Sequence, residues 1–104
     1  MAAIHPKGAV KDEVVTYFFL IRHTEKGTVQ SAAQKKKGVN DVTKVVRREG
    51  GKCHLYSTKD APFDYVSVIT GTTKAAAVRI AAEIEQGGAV KATQISGIEI
   101  FYTP

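Results

Sequence analysis

The order of the apolar runs constrains this chain most. They read strand, helix, strand, strand, helix, strand, and two of the strands are apolar on both faces. Residues 14–21 read VVTYFFLI, a β-branched and aromatic run of the kind that fits a central strand. Alternation sends Val15, Tyr17, Phe19 and Ile21 to one side and Val14, Thr16, Phe18 and Leu20 to the other. Neither side is polar. Residues 63–70 repeat the pattern, broken only by Asp64 and Ser67.

The remaining elements follow from punctuation and period. Arg22 and His23 close the first strand, and residues 24–27 make a turn. A helix is expected over 28–49, with Thr28 as its N-cap and Val29, Ala32, Ala33, Val39, Val42 and Val46 on its apolar side. Gly38 is a point where it could bend, and Gly50 with Gly51 stops it. Residues 52–58 form a more polar second strand, and 59–62 a hairpin loop. A second helix is expected over 74–86, burying Ala77, Ile80, Ala81 and Ile84. The stretch 89–102 is a last extended segment, with Gly97 a bulge or a close approach.

This order predicts an α+β, ferredoxin-like βαββαβ sandwich with an antiparallel four-stranded sheet, order 4-1-3-2. The two apolar strands are its central pair. Both helices cover the same face. An open antiparallel face is normally polar, yet here it would carry either Tyr17 and Phe19 or Phe18 and Leu20. A bare apolar patch of that kind marks an interface. The expectation is a homodimer or larger oligomer joined sheet to sheet, with Tyr17 and Phe19 on the assembling face; the alternative is a terminal arm folded over the sheet.

A chain of 104 residues holds one core of modest size. Residues 1–13, with Lys7, Lys11, Pro6 and Gly8 but no apolar segment, are expected to be a flexible arm rather than a secretory signal, leaving 14–104 as the domain. No apolar run approaches the ~20 residues of a membrane span. Cys53 is the one cysteine, which excludes an internal disulfide and points to a cytoplasmic setting. The net charge of +5 favours anionic partners only slightly.

No segment carries a full catalytic signature. Arg22 and His23 sit after a strand, like the Arg-His pair of histidine phosphatases, but Thr24 replaces the usual glycine and no second histidine motif follows. His5, His23 and His54 have no metal-ligand spacing. Gly71, Thr72, Thr73 and Lys74 precede a helix but lack the phosphate-loop spacing. The element order is shared with RNA-recognition motifs, whose third strand carries basic, glycine and aromatic residues. Residues 63–66 read FDYV instead, so nucleic acid is not expected as a partner. Lys35, Lys36 and Lys37 read as a solvated helix face. Three residues remain as candidate ligand contacts: His23, His54 and Asp64. Convergence at one end of the sheet would make them a proton-transfer site. Asp64 can equally be a hairpin residue bonded to backbone amides.

Tyr17, Leu20, Thr24 and Gly27, followed by Gly50, Gly51 and Lys52, resemble the strand-and-turn landmarks of the GYD-domain family. The naming motif falls at Pro62, Phe63 and Asp64, where only the aspartate matches. The resemblance implies a ferredoxin-like fold of the dimeric α/β-barrel type and implies no reaction. Two functions stay open. One is a cytoplasmic oligomeric domain, without a cofactor, binding a small ligand or a protein partner. The other is a cofactor-free enzyme of the oxygenase or isomerase type. An apolar cavity with a convergent polar pair would favour small-molecule chemistry, and a solid core an interaction module.

Overall fold

A computed structural model describes residues 15–59 and 62–103. The expected arm at residues 1–13 lies outside the described residues. The elements are β1 (Val15–His23), α1 (Glu25–Thr28), α2 (Ala32–Arg48), β2 (Lys52–Ser57), β3 (Tyr65–Thr70), α3 (Lys74–Glu85) and β4 (Val90–Ile98). The sheet is antiparallel with order β2-β3-β1-β4, the α+β arrangement expected from the order of the apolar runs.

Register places the side chains. Phe19 pairs with Ser67 and with Gln94, so Tyr17, Phe19, Ile21, Ser67 and Ile69 share the face beneath α2 and α3. Val46 from α2 and Ala77 and Ile80 from α3 complete the core. Phe19, Ile69 and Ile80 are fully buried, each contributing roughly 1.5–3 kcal/mol relative to exposure. Ser67 is buried among them, with its hydroxyl 3.1 Å from the Cys53 sulfur.

This corrects the expectation about the assembling face. Tyr17 and Phe19 are core residues, 5% and 0% exposed. The uncovered face carries Phe18 and Leu20, which pair with Val68 and Val66 of β3, and with Ile95 and Thr93 of β4. The reason is register. Tyr17 and Phe19 stand on the same side as Ile69, against which both helices dock.

The first helix also begins later than expected. A one-turn α1, capped by the Thr24 side chain, follows β1 directly. Ser31 then caps α2 with a capping box: its hydroxyl accepts from the Gln34 amide, and the Gln34 side chain accepts from the Ser31 amide. Such a box outcompetes the lone Thr28 cap, because it satisfies two orphan amides at once. Val29, Ala32 and Ala33 are accordingly exposed, and Gly38 sits in an uninterrupted helix. Gly97 makes no bulge. It pairs with Thr16 in a continuous ladder, and a Cβ there would lie 3.4 Å from the Phe18 ring.

Candidate functional site

The site begins with how the end of β1 is held. Asp64, in the β2–β3 hairpin, accepts a 2.7 Å hydrogen bond from the His23 amide on one carboxylate oxygen. Its own amide donates to the Ile21 carbonyl at 2.8 Å, and its carbonyl accepts from the Thr58 amide at 3.1 Å. Asp64 is therefore bonded to backbone and fixes the level of His23. Bonds to a carboxylate are the stronger class of such contacts.

On the other side, α1 is stitched to the loop after α3. The Thr24 amide donates to the Ala89 carbonyl at 3.0 Å, the Thr24 hydroxyl to Gly88 at 2.5 Å, and the Lys26 ammonium to Gly87 at 2.9 Å. The contact demands a glycine at Gly27. A Cβ there would sit 1.9 Å from the Ala89 carbonyl oxygen and 3.0 Å from His23 Nδ1.

His23 is thus clamped from both flanks. Its Nε2 lies 3.2 Å from the Tyr65 hydroxyl, and the two rings meet edge to face at 5.3 Å. Its Nδ1 is buried without a hydrogen-bond partner. A neutral imidazole offers one donor and one acceptor nitrogen, so one proton site of this ring is unmatched in either tautomer.

The pair forms part of the wall of a cavity of about 410 Å³ between the sheet and the helices. Ile21, Leu55, Tyr65 and Val90, one from each strand, line its sheet side. Gly38, Val39, Val42 and Val45 of α2 line it with Ile84 of α3. Gly38 and the valines on that part of α2 are small, and they leave the space. The core is dense instead beneath Val46 and Ile80. Near that end two ion pairs join the helices. Arg48 grips Glu83 with its two terminal guanidinium nitrogens, and Arg79 binds Glu49 at 2.8 and 3.3 Å. Bonding to Arg48 holds the Glu83 carboxyl below its ordinary range, and Arg79 does the same for Glu49. The arginines are raised in turn by these carboxylates.

The three sequence candidates separate. His23 and Asp64 come together, with Asp64 behind His23 rather than in the cavity lining. His54 lies on the opposite, uncovered face, beside Tyr56 with ring centroids 6.5 Å apart. Tyr65 is a site residue that no sequence motif singles out. Its place directly after Asp64 and its inward alternation with Ser67 and Ile69 were the signal. Among the described residues no group of three or more His, Cys, Asp or Glu could hold a metal ion. No helix among them is long and apolar enough to cross a membrane.

Fold and site define a ferredoxin-like α+β protein with a cavity between its layers. No protein-family model matches the chain, and no curated protein matches it. Solved structures do. A chlorite dismutase from Candidatus Nitrospira defluvii aligns with a TM-score of 0.64 at 11% identity, over 86% of this chain. This chain spans only 41% of that one. The cofactor-independent oxygenase SnoaB from Streptomyces nogalater aligns with a TM-score of 0.56 at 14% identity, over 88% of this chain and 94% of its own. A dimeric ferredoxin-like protein of unknown function from Thermobifida fusca aligns with a TM-score of 0.53 at 12% identity, over 82% and 92%. At these identities the likeness is one of fold.

Proposed function

We propose that this protein is a homodimer, cytoplasmic in setting, that binds a small apolar molecule in the cavity beside His23 and Tyr65. The cavity carries the reading. Its volume of about 410 Å³ falls within the ~300–1,000 Å³ range of small-molecule sites, and it combines apolar walls with a few convergent polar groups as such sites do. In this reading His23 and Tyr65 contact the ligand, and Asp64 positions His23.

The open sheet face supports the dimer. Phe18, Leu20, Val66 and Val68 form its centre, with Tyr56 and Ile95 at 54% and 49% exposure on the flanking strands. Ile100, Phe101 and Tyr102 add exposed apolar surface after β4. The Thermobifida fusca neighbour is described as dimeric, and the GYD-type landmarks point to the same assembly. His54, on that open face, belongs to the interface in this reading.

Native mass spectrometry of gently purified protein tests both halves. The expected species is a dimer carrying added mass, and Val42→Phe, which fills the cavity, loses that mass while staying dimeric. A monomer overturns the interface. An unladen dimer that takes up no apolar compound from a screening set overturns the cavity.

A second reading is favoured by one observation, the His23–Tyr65 pair with its unmatched Nδ1. In a cofactor-free enzyme of the oxygenase or isomerase type, His23 would move a proton and Tyr65 orient its ring. SnoaB, a cofactor-independent oxygenase, shares the fold. His23→Gln should then abolish turnover of a bound compound without abolishing its binding. Equal loss of both would leave only the binding role.

A further inference from the structure

We infer that the cavity selects a small apolar anion, and that Lys35 is the residue that reads its charge. The inference rests on the reading of the cavity as a small-molecule site. On α2 the inward stripe runs 35, 39, 42, 46, the i, i+4, i+7, i+11 spacing of one helix face. Three of its positions are Val39, Val42 and Val46, all partly or fully buried. The fourth is Lys35, itself partly buried and part of the cavity lining. A core-facing position held by a lysine breaks the pattern that the rest of the helix keeps.

Charge bookkeeping over the cavity singles out the same residue. Four formally charged side chains line it: Lys35, Lys37, Asp41 and Glu83. Lys37 pairs with Asp41 at 3.0 Å. Glu83 is held by Arg48. Lys35 has no side-chain hydrogen bond or ion pair among the described residues. The uncompensated charge in the lining is therefore one cation, over apolar walls of Ile21, Leu55, Val90 and the α2 valines that also carry the neutral polar side chains of Gln30, Gln34 and Tyr65. A carboxylate or comparable anion on a compact hydrocarbon body matches both features. A bond to a charged partner at a partly desolvated site is stronger than one to its neutral isostere.

The test uses 2-naphthoate and its neutral isostere 2-naphthamide, titrated into the whole protein at neutral pH and low salt. Binding is followed by calorimetry. Naphthoate is expected to bind about tenfold more tightly than the amide. Lys35→Met keeps the aliphatic stem and removes the charge, so naphthoate should fall to the affinity of the amide, which itself stays unchanged. Val42→Phe should abolish binding of both. Equal affinities in the unaltered protein, or a preference that survives Lys35→Met, overturn the charge selection and leave the cavity reading standing. Naphthoate binding that survives Val42→Phe places the anion outside the cavity and also overturns it. Binding of neither probe overturns the cavity reading, and this inference with it.

Discussion

The two faces of the sheet are built from the same kinds of residue and do opposite things. Beneath the helices, Tyr17, Phe19, Ile21 and Ile69 are sealed into a core. One residue along the strand, Phe18, Leu20, Val66 and Val68 face away from both helices and stay half exposed. Hydropathy cannot tell these sets apart, because both are apolar. What separates them is which set the two amphipathic helices happen to cover. A strand apolar on both faces therefore leaves one apolar set outside a single helix layer, and alternation alone does not say which set.

A charge placed on each face in turn separates the two sets most strongly. Phe19→Asp buries a carboxylate at a position with no exposure, and it should cost more than the whole stability of a small domain, typically about 5–15 kcal/mol. Circular dichroism should show an unfolded chain. Phe18→Asp should instead leave the spectrum native and shift the mass in sedimentation from dimer to monomer. A folded Phe19→Asp protein would show that the faces are assigned the wrong way round.

Gly27→Ala probes the clamp that holds His23. With the Ala89 oxygen 1.9 Å from the added Cβ, the α1 turn must move, at about 1–3 kcal/mol. Urea denaturation should report the loss, and the His23 ring resonances should shift with it. Tyr65→Phe removes one hydrogen bond at the cavity wall, worth about 1 kcal/mol. Unchanged His23 resonances in that variant would mean that the pair does not persist in solution.

The smallest effect is the pH response of the helix-end ion pairs. Glu49 and Glu83 have lowered folded-state pKa values, caused by Arg79 and Arg48. Their contribution is therefore present above the ordinary glutamate range, near 4.3. It is lost as pH falls through the folded values. Both arginines are exposed, and ion pairs open to solvent contribute little, so the melting temperature should fall only slightly more between pH 6 and 3 than in Glu83→Gln. An identical acid limb in that variant would remove these pairs from the account.

Much of the architecture was legible because periodicity carries it. The two-sided runs marked the central strands, and Ala77, Ile80, Ala81 and Ile84 face inward as their spacing requires. Helix α2 starts at Ala32 rather than at Thr28, and Ser31 with Gln34 spells that capping box in the sequence. The clearer the local signal, the less tertiary context can override it, and a single threonine was a poor rival. The site was legible only in part. His23 and Asp64 could be named, but their contact spans 41 positions of sequence, and His54 could not be assigned to the other face before the register was known.

Sequence by itself determined the four strands and two long helices, the order that dictates an antiparallel sheet with central β1 and β3, and the surplus of apolar surface that one helix layer cannot cover. These are local or compositional properties, set by side-chain alternation and by the hydrophobic effect. Tertiary structure alone decided which side of β1 became core, because docking of Val46, Ala77 and Ile80 onto Phe19 and Ile69 is a contact between distant segments. It also decided that a space remains beside His23. A cavity is a property of what several elements fail to fill together, and no single stretch of chain encodes it.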